Sequence, residues 1–389
     1  MENTELKQKF AELYGEGEIR LFAAAGRVNL IGEHIDYCGG KVFPAALNLC
    51  CTVAARKNNE KKIRLAATTI EDKVTLDLGK LDSYRDLPWG AYQAGVAYIM
   101  AQEGYEIVGC DLLFDCTVPF GSGLSSSAAI EVATAKTLAV FSEEAGGKSA
   151  DNPTLAILSQ KAENEYTNVA CGIMDQYASA CGKQHRAMLL DCKTLECSYV
   201  PLDFGEYTLV IANSNKRRSL QEGKYNERRA ECEEALAILQ KSLPEATCLA
   251  DITPKDFKKA SKALSPVLLK RARHVVTECA RVKEAAEALE KGKVKAFGKL
   301  LNESHFSLRD DYEVTGKELD ALTEYSRNFK GCIGSRMTGA GFGGCTVSLV
   351  KTELVPAFID TVGKAYESAV GYAADFYTTT IEDGAREVL

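Results

Sequence analysis

Strand-like and helix-like stretches do not alternate in this chain, and that irregularity limits its fold more than any other feature. The first hundred residues read as short strands between turns: Glu18–Ala24, Asn48–Ala55, and a hairpin-like pair, Ile63–Thr69 and Lys73–Leu78. Trp89–Met100 has helical spacing and Cys110–Thr117 is strand-like, after which the spacing predicts a long apolar helix from Ser125 to Phe141. Asp151-Asn152-Pro153 offers a capping side chain and then a first-turn proline, so a helix running to Tyr166 is expected. Met188–Asp191, Leu195–Val200 and Thr208–Ala212 are further strands. From Tyr225 helices dominate (Tyr225–Lys241, Ser265–Lys291, Lys293–Leu301, Lys317–Asn328). Strands return at Cys345–Val350 and Phe376–Ile381, around a helix at Val355–Val370. Mixed elements without βαβ rhythm predict an α+β fold rather than a doubly wound one. A boundary near Val200 divides residues 1–200, of mixed character, from the helix-rich residues 201–389.

Composition narrows the function classes. A chain of 389 residues is long enough for two well-buried cores. A net charge of −7 argues against nonspecific binding to nucleic acid or an anionic membrane, while leaving room for a local basic pocket. No apolar run approaches the roughly 20 residues of a spanning helix, and Met1–Phe10 lacks the apolar centre of a signal peptide. Fourteen cysteines without a C-x-x-C pair, and four histidines without zinc spacing, argue against a metal–thiolate site. Cys50, Cys51, Cys110 and Cys279 have apolar neighbours, as buried thiols do, so the reducing cytoplasm is the expected compartment. His185, His274 and His305 are isolated and read as structural, and Lys216-Arg217-Arg218 reads as a solvated turn.

Three segments do not look like scaffold. Gly26-Arg27-Val28-Asn29-Leu30-Ile31-Gly32-Glu33-His34-Ile35-Asp36 follows a strand yet packs charges and an amide between apolar anchors. Carboxylates and amides held rigidly suit sugar hydroxyls, and an arginine suits a phosphate or developing negative charge; a solvated loop is the alternative. Pro119-Phe120-Gly121-Ser122-Gly123-Leu124-Ser125-Ser126-Ser127-Ala128-Ala129 runs from a strand into a helix. Its glycines allow close backbone approach, and the helix N-terminus adds free N–H groups and a favourable dipole for an anion. It is not a Walker A loop, since no Gly-Lys-Ser/Thr follows, and a serine-rich cap is the plainer reading. Gly334-Ser335-Arg336-Met337-Thr338-Gly339-Ala340-Gly341-Phe342-Gly343-Gly344 matches G-x-G-x-x-G in spacing, but a strand-like stretch follows where that fingerprint needs a helix. A glycine-rich turn over a cleft, or a simple tight hairpin, accounts for it better.

In this order the three segments resemble the motifs of the GHMP small-molecule kinases and, within them, of the galactokinases. Cys171-Gly172-Ile173-Met174-Asp175-Gln176 resembles the galactokinase segment that carries the catalytic aspartate. The resemblance implies a two-lobed α+β GHMP kinase fold with the active site in the cleft. It implies that Asp175 is the base beside an anomeric sugar hydroxyl and that Arg27 stabilises the transferring phosphoryl group. Glu33, His34, Ile35, Asp36 and Tyr225 would bind the sugar. Gly121, Ser122, Gly123, Leu124, Ser125, Ser126 and Ser127 would wrap the ATP phosphates, with Trp89 and Tyr92 beside the adenine and Arg217 near the site. Ser127 and Glu163 would hold Mg²⁺. Ala25 stands where the family usually has proline. Ile35 and Cys38 replace the threonine and asparagine common in bacterial galactokinases, and the run His34–Cys38 looks like the N-acetylgalactosamine kinase branch.

Phosphoryl transfer needs positioning and charge neutralisation along an in-line path, and this cast can supply both. An arginine beside Asp175 is expected to keep that carboxylate ionised. The expected activity is ATP-dependent 1-phosphorylation of galactose, with galactose and MgATP as partners and no nucleic acid or membrane. The same chemistry on N-acetylgalactosamine or arabinose, or a non-catalytic sugar and ATP sensor, are the alternatives. A monomer is expected, with a dimer left open.

Overall fold

The computed structural model describes residues 1–216 and 221–388. The chain opens with helix α1 (Asn3–Tyr14), then strands β1 (Arg20–Asn29), β2 (Lys41–Val42), β3 (Pro44–Lys57), β4 (Lys62–Ala67) and β5 (Ile70–Asp77). Helix α2 (Ala91–Gln102), strand β6 (Cys110–Cys116) and helices α3 (Ser126–Glu144), α4 (Asn152–Glu165) and α5 (Met174–Cys181) follow, before β7 (Arg186–Asp191) and β8 (Cys197–Pro201). The second half holds β9 (Tyr207–Asn213) and helices α6 (Gln221–Leu239), α7 (Pro254–Ala260), α8 (Pro266–Glu290), α9 (Val294–Ser307) and α10 (Lys317–Asn328). It ends with β10 (Cys332–Thr338), β11 (Cys345–Lys351), α11 (Val355–Val370), β12 (Asp375–Thr378) and β13 (Arg386–Val388).

Three sheets organise these elements. The largest runs β13-β1-β3-β6-β4-β5, the second β10-β11-β9-β12, and a small one β2-β7-β8. Helix α3 is apolar nearly all round and packs on β1 and β3, which is why both strands read as buried runs rather than alternating ones. The other face of the large sheet is covered by α1, whose Leu6 and Phe10 pack on Leu21, Ala54 and Leu113. Those two residues, one helical turn apart, mark the buried face of α1, an element that the reading of Met1–Phe10 as polar and lacking a signal-peptide core did not assign. Local chemistry fixes the helix starts as expected: Asp151 accepts from the Thr154 N–H at 3.0 Å with Pro153 in the first turn of α4.

Other sequence expectations need correction. The first polar segment does not begin as a turn, because Gly26–Asn29 continues β1. The third segment opens with a strand, Gly334–Thr338 lying in β10. Helix α9 runs past Leu301 to Ser307. The last stretch leaves the second sheet at Thr378; Ile381 bridges Leu47, and β13 pairs with β1. The chain's end is therefore stitched into the large sheet of the first half. Among the described residues no helix is long and apolar enough to cross a membrane, and none of the fourteen cysteines forms a disulfide.

Candidate active site

Register sets the first component. The β1–β3 pairing shifts between Ala25 and Arg27, and such a bulge re-aims the side chain that follows it. Gly26 sits in this irregularity because a Cβ there would lie 2.9 Å from Val118 and 3.0 Å from the Leu124 carbonyl. The close approach lets Arg27 N–H donate to that carbonyl at 3.0 Å. Strand β1 and the loop before α3 are thereby locked together beside a cavity of about 690 Å³ that Arg27 lines.

Arg27 then reaches 148 residues along the chain. Its Nε and Nη2 donate to Asp175 Oδ1 and Oδ2, each at 2.9 Å, a bidentate pair, while Nη1 donates to the Gly123 carbonyl. Arg27 is 4% exposed and Asp175 31%, so the carboxylate is the member facing the cavity. Ser125 Oγ also donates to Asp175. Ser125 is the N-cap of α3 and holds a left-handed backbone at φ 60°, a strained conformation for a non-glycine residue. Asp175 lies in the first turn of α5. Two helix N-termini therefore converge where arginine and carboxylate meet, and both favour a negatively charged guest.

The sugar-motif residues divide. His34, also left-handed at φ 61°, donates from Nε2 to the Ala340 carbonyl at 3.0 Å and accepts at Nδ1 from the Tyr37 hydroxyl at 2.8 Å. Burial drops its pKa to about 3, so the ring is neutral and this tautomer is fixed. Asp36 faces the cavity from a site enclosed by protein, and burial, reinforced by the nearby Asp175 charge, raises its pKa to about 6. Tyr225 lines the same wall, its phenol pushed well up by burial. Glu33 reaches the wall, but its oxygens are held by Arg336 at 2.7 Å, the Gly339 N–H at 2.7 Å, the Thr338 hydroxyl at 3.0 Å and the Asn29 amide. It fastens the first segment to the third. Ile35 is wholly buried in the core and does not line the cavity, as its apolar side chain demands.

Glu163 is 7% exposed on the cavity wall, and burial first, then the Asp175 charge, lifts its pKa to about 7. The neighbouring Ser127 hydroxyl opposes that rise. Among the described residues Glu163 has no ion-pair partner, and none forms a cluster of three or more His, Cys, Asp or Glu able to hold a metal alone. In the loop, Ser122 and Leu124 are buried, whereas Gly121, Gly123, Ser126 and Ser127 retain exposed surface. Neither this loop nor Trp89 and Tyr92 belongs to the cavity lining; Trp89 and Tyr92 sit half-buried where α2 begins, and the buried Trp89 Nε1 has no hydrogen-bond partner. Arg217 lies outside the described residues.

The sequence alone does not single out Arg336, wholly buried inside the third segment, or Glu131, wholly buried on α3. A charged residue inside an otherwise apolar helical run was the available signal for Glu131. His274, read as structural, donates to the Glu33 carbonyl at 3.0 Å and so braces the sugar motif from behind.

Comparison with known proteins agrees along the whole chain. The galactokinase galactose-binding signature matches residues 8–57, the GHMP kinases N-terminal domain residues 89–183, and the GHMP kinases C-terminal domain residues 285–368. The galactokinase of Clostridium tetani is 47% identical over 100% of this chain and 98% of its own length. That of Exiguobacterium sibiricum is 44% identical over 100% and 99%. The crystal structure of Lactococcus lactis galactokinase complexed with galactose superposes with a TM-score of 0.94 at 41% identity, covering 99% of each chain.

Proposed function

Because the chain belongs to the galactokinase family of the GHMP kinases, we propose a division of labour among the residues around its cavity. The enzyme is a phosphotransferase that moves the γ-phosphoryl group of ATP to the anomeric hydroxyl of galactose, giving galactose 1-phosphate and ADP. The observation that carries the reading is the junction of Arg27, Asp175 and Ser125, where the loop before α3 meets the cavity wall.

Asp175, anchored by Arg27 and Ser125, turns its remaining lone pairs to the cavity and accepts the hydroxyl proton as the sugar oxygen bonds to phosphorus. The bond from that phosphorus to the ADP oxygen breaks, and the charge it leaves falls to Arg27 and the helix N-termini. Asp36 and Tyr225 hold sugar hydroxyls, neutral His34, both of whose ring nitrogens are bonded within the protein, gives the sugar a wall to lie against, and Glu33 holds that wall in place. Gly121 to Ser127 carry the phosphates, with Trp89 and Tyr92 on the adenine side. A buried carboxylate without a cation, beside a serine hydroxyl, fits a magnesium ion that takes its other ligands from phosphates and water. Ser127 and Glu163 would hold it, and it would neutralise phosphate charge.

Residues 1–200, joined by the returning end of the chain whose β13 pairs with β1, form the lobe with the sugar and phosphate segments, and the rest of residues 201–389 the lobe with the third segment. The cytoplasm is the proposed compartment, on the strength of fourteen cysteines without a disulfide, and a monomer the proposed state. ADP release measured over a panel of sugars tests the specificity. Galactose should give the highest kcat/KM; preference for N-acetylgalactosamine or arabinose would reassign the substrate, and galactose binding without ADP release would remove the activity.

A further inference from the structure

Behind the cavity wall three helices bring together side chains to which no role has been given. Glu131 on α3 stands one turn beyond Ser127 and is wholly buried. Gln176, also wholly buried, follows Asp175 on α5. Its single Nε2 donates one hydrogen to Glu131 Oε2 at 3.0 Å and the other to Glu163 Oε2 at 2.5 Å. The α5 N-terminus thus presents two successive residues in two directions: Asp175 into the cavity and Gln176 back onto the carboxylates.

Packing alone does not account for this arrangement. The neighbours of Glu131 on α3 include Ala128, Val132 and Ala135, all fully buried, and an apolar residue there would avoid the desolvation of a carboxyl group. The cluster also leaves Glu131 Oε1 and Gln176 Oε1 buried without hydrogen-bond partners. Such an arrangement weakens a core and is retained where it orients something. What it orients is Glu163, whose other hydrogen-bond partner on this side is the Cys171 thiol at 3.4 Å.

We propose that Glu131 is a positioning residue which, through the Gln176 amide, aims the Glu163 carboxylate at the divalent cation of the nucleotide. This inference rests on the reading of Ser127 and Glu163 as the cation's protein ligands. It makes α5 the common support of the base and of the metal ligand, so that the acceptor and the phosphates are set by one helix.

The test uses Mn²⁺ as a paramagnetic substitute, its uptake by the full-length enzyme with ADP followed by electron paramagnetic resonance, alongside thermal unfolding and metal-free ADP binding. Glu131→Leu should weaken Mn²⁺ uptake by about 10-fold, the lower end of the effect of losing an outer-shell partner, while metal-free ADP binding stays unchanged. Glu131→Gln should bind Mn²⁺ within about twofold of the parent, because its amide can accept from Gln176 Nε2 and also donate to the orphaned Gln176 Oε1. Should Glu131→Leu fail to fold, Gln176→Met, which removes the bridging donors at similar length, carries the same expectation. Folded Glu131→Leu or Gln176→Met enzyme with parental Mn²⁺ uptake, beside an impaired Glu163→Gln, overturns the positioning role. Parental uptake in Glu163→Gln itself overturns the metal assignment and the inference with it.

Discussion

Two arginine–carboxylate pairs start from the same short segment and serve opposite ends. Arg27–Asp175 keeps its carboxylate 31% exposed to the cavity, whereas in Glu33–Arg336 the two side chains are 1% and 0% exposed. The first is a bidentate pair of charge-assisted hydrogen bonds and the second an ion pair at 2.7 Å, yet only the first offers an atom to a substrate. The second joins β1 to β10: Arg336 Nη1 also donates to the Asn29 and Leu30 carbonyls at 2.9 and 3.0 Å. A polar-rich motif can therefore hold chemistry and scaffolding a few residues apart, and accessibility of the acceptor oxygen tells them apart.

The largest effect should come from the open pair. Asp175→Ala is expected to lower kcat by at least about 10²-fold, the usual range for a lost general base, with ATP binding intact. Steady-state kinetics and nucleotide titration check it, and near-normal turnover would remove the assigned role. The closed pair should fail differently. Glu33→Ala leaves Arg336 buried and unpaired, so it should cost about 3–5 kcal/mol of stability. Denaturant unfolding checks this, and Glu33→Ala protein of parental stability but with a raised galactose KM would return Glu33 to direct sugar contact.

The same contrast marks what one sequence discloses. Elements whose cause is local were legible: the capped, proline-led start of α4, the hairpin β4–β5, and the strand after the glycine-rich turn. Asp175 and Arg27 were legible as candidates because their segments resemble a family, but their bidentate contact across 148 positions was not. Arg336 was visible as a letter, yet its value depends on Glu33, 303 positions away, a pairing that only the folded chain makes. Glu131 escaped because an acid on a helix normally reads as solvent-facing, and burial on every side comes from the packing of α3 on the sheet and helices around it.

A smaller effect should follow where the scaffold touches the open end. Gly172 stands against Asp36, and a Cβ there would come within 2.0 Å of Asp36 Oδ2. Gly172→Ala must therefore displace that carboxylate. The expected result is a galactose KM raised about 10-fold, with ATP affinity and thermal stability close to the parent's. An unchanged KM would take Asp36 off the sugar, and a large loss of stability would move this stretch into the scaffold class with Glu33.

The smallest effect concerns protons. Asp36 has a pKa of about 6 in the folded enzyme, above the ordinary aspartate value of 3.8, because burial and the Asp175 charge disfavour its ionised form. Between those two values the folded chain holds a proton that the unfolded chain has released. By linkage its contribution to stability falls as pH rises through that window and is fully lost above about 6. Asp36→Asn has no such proton, so the variant should gain on the parent between pH 4 and pH 7 in thermal unfolding. A sugar hydroxyl donating to Asp36 favours the ionised form, so galactose affinity in the parent should decline below pH 6, by up to about tenfold per pH unit, and the Asp36→Asn variant should not show that decline. A parental affinity flat from pH 5 to pH 7 would mean that Asp36 meets its proton without meeting the sugar, and would place it with Glu33 among the residues that hold the wall.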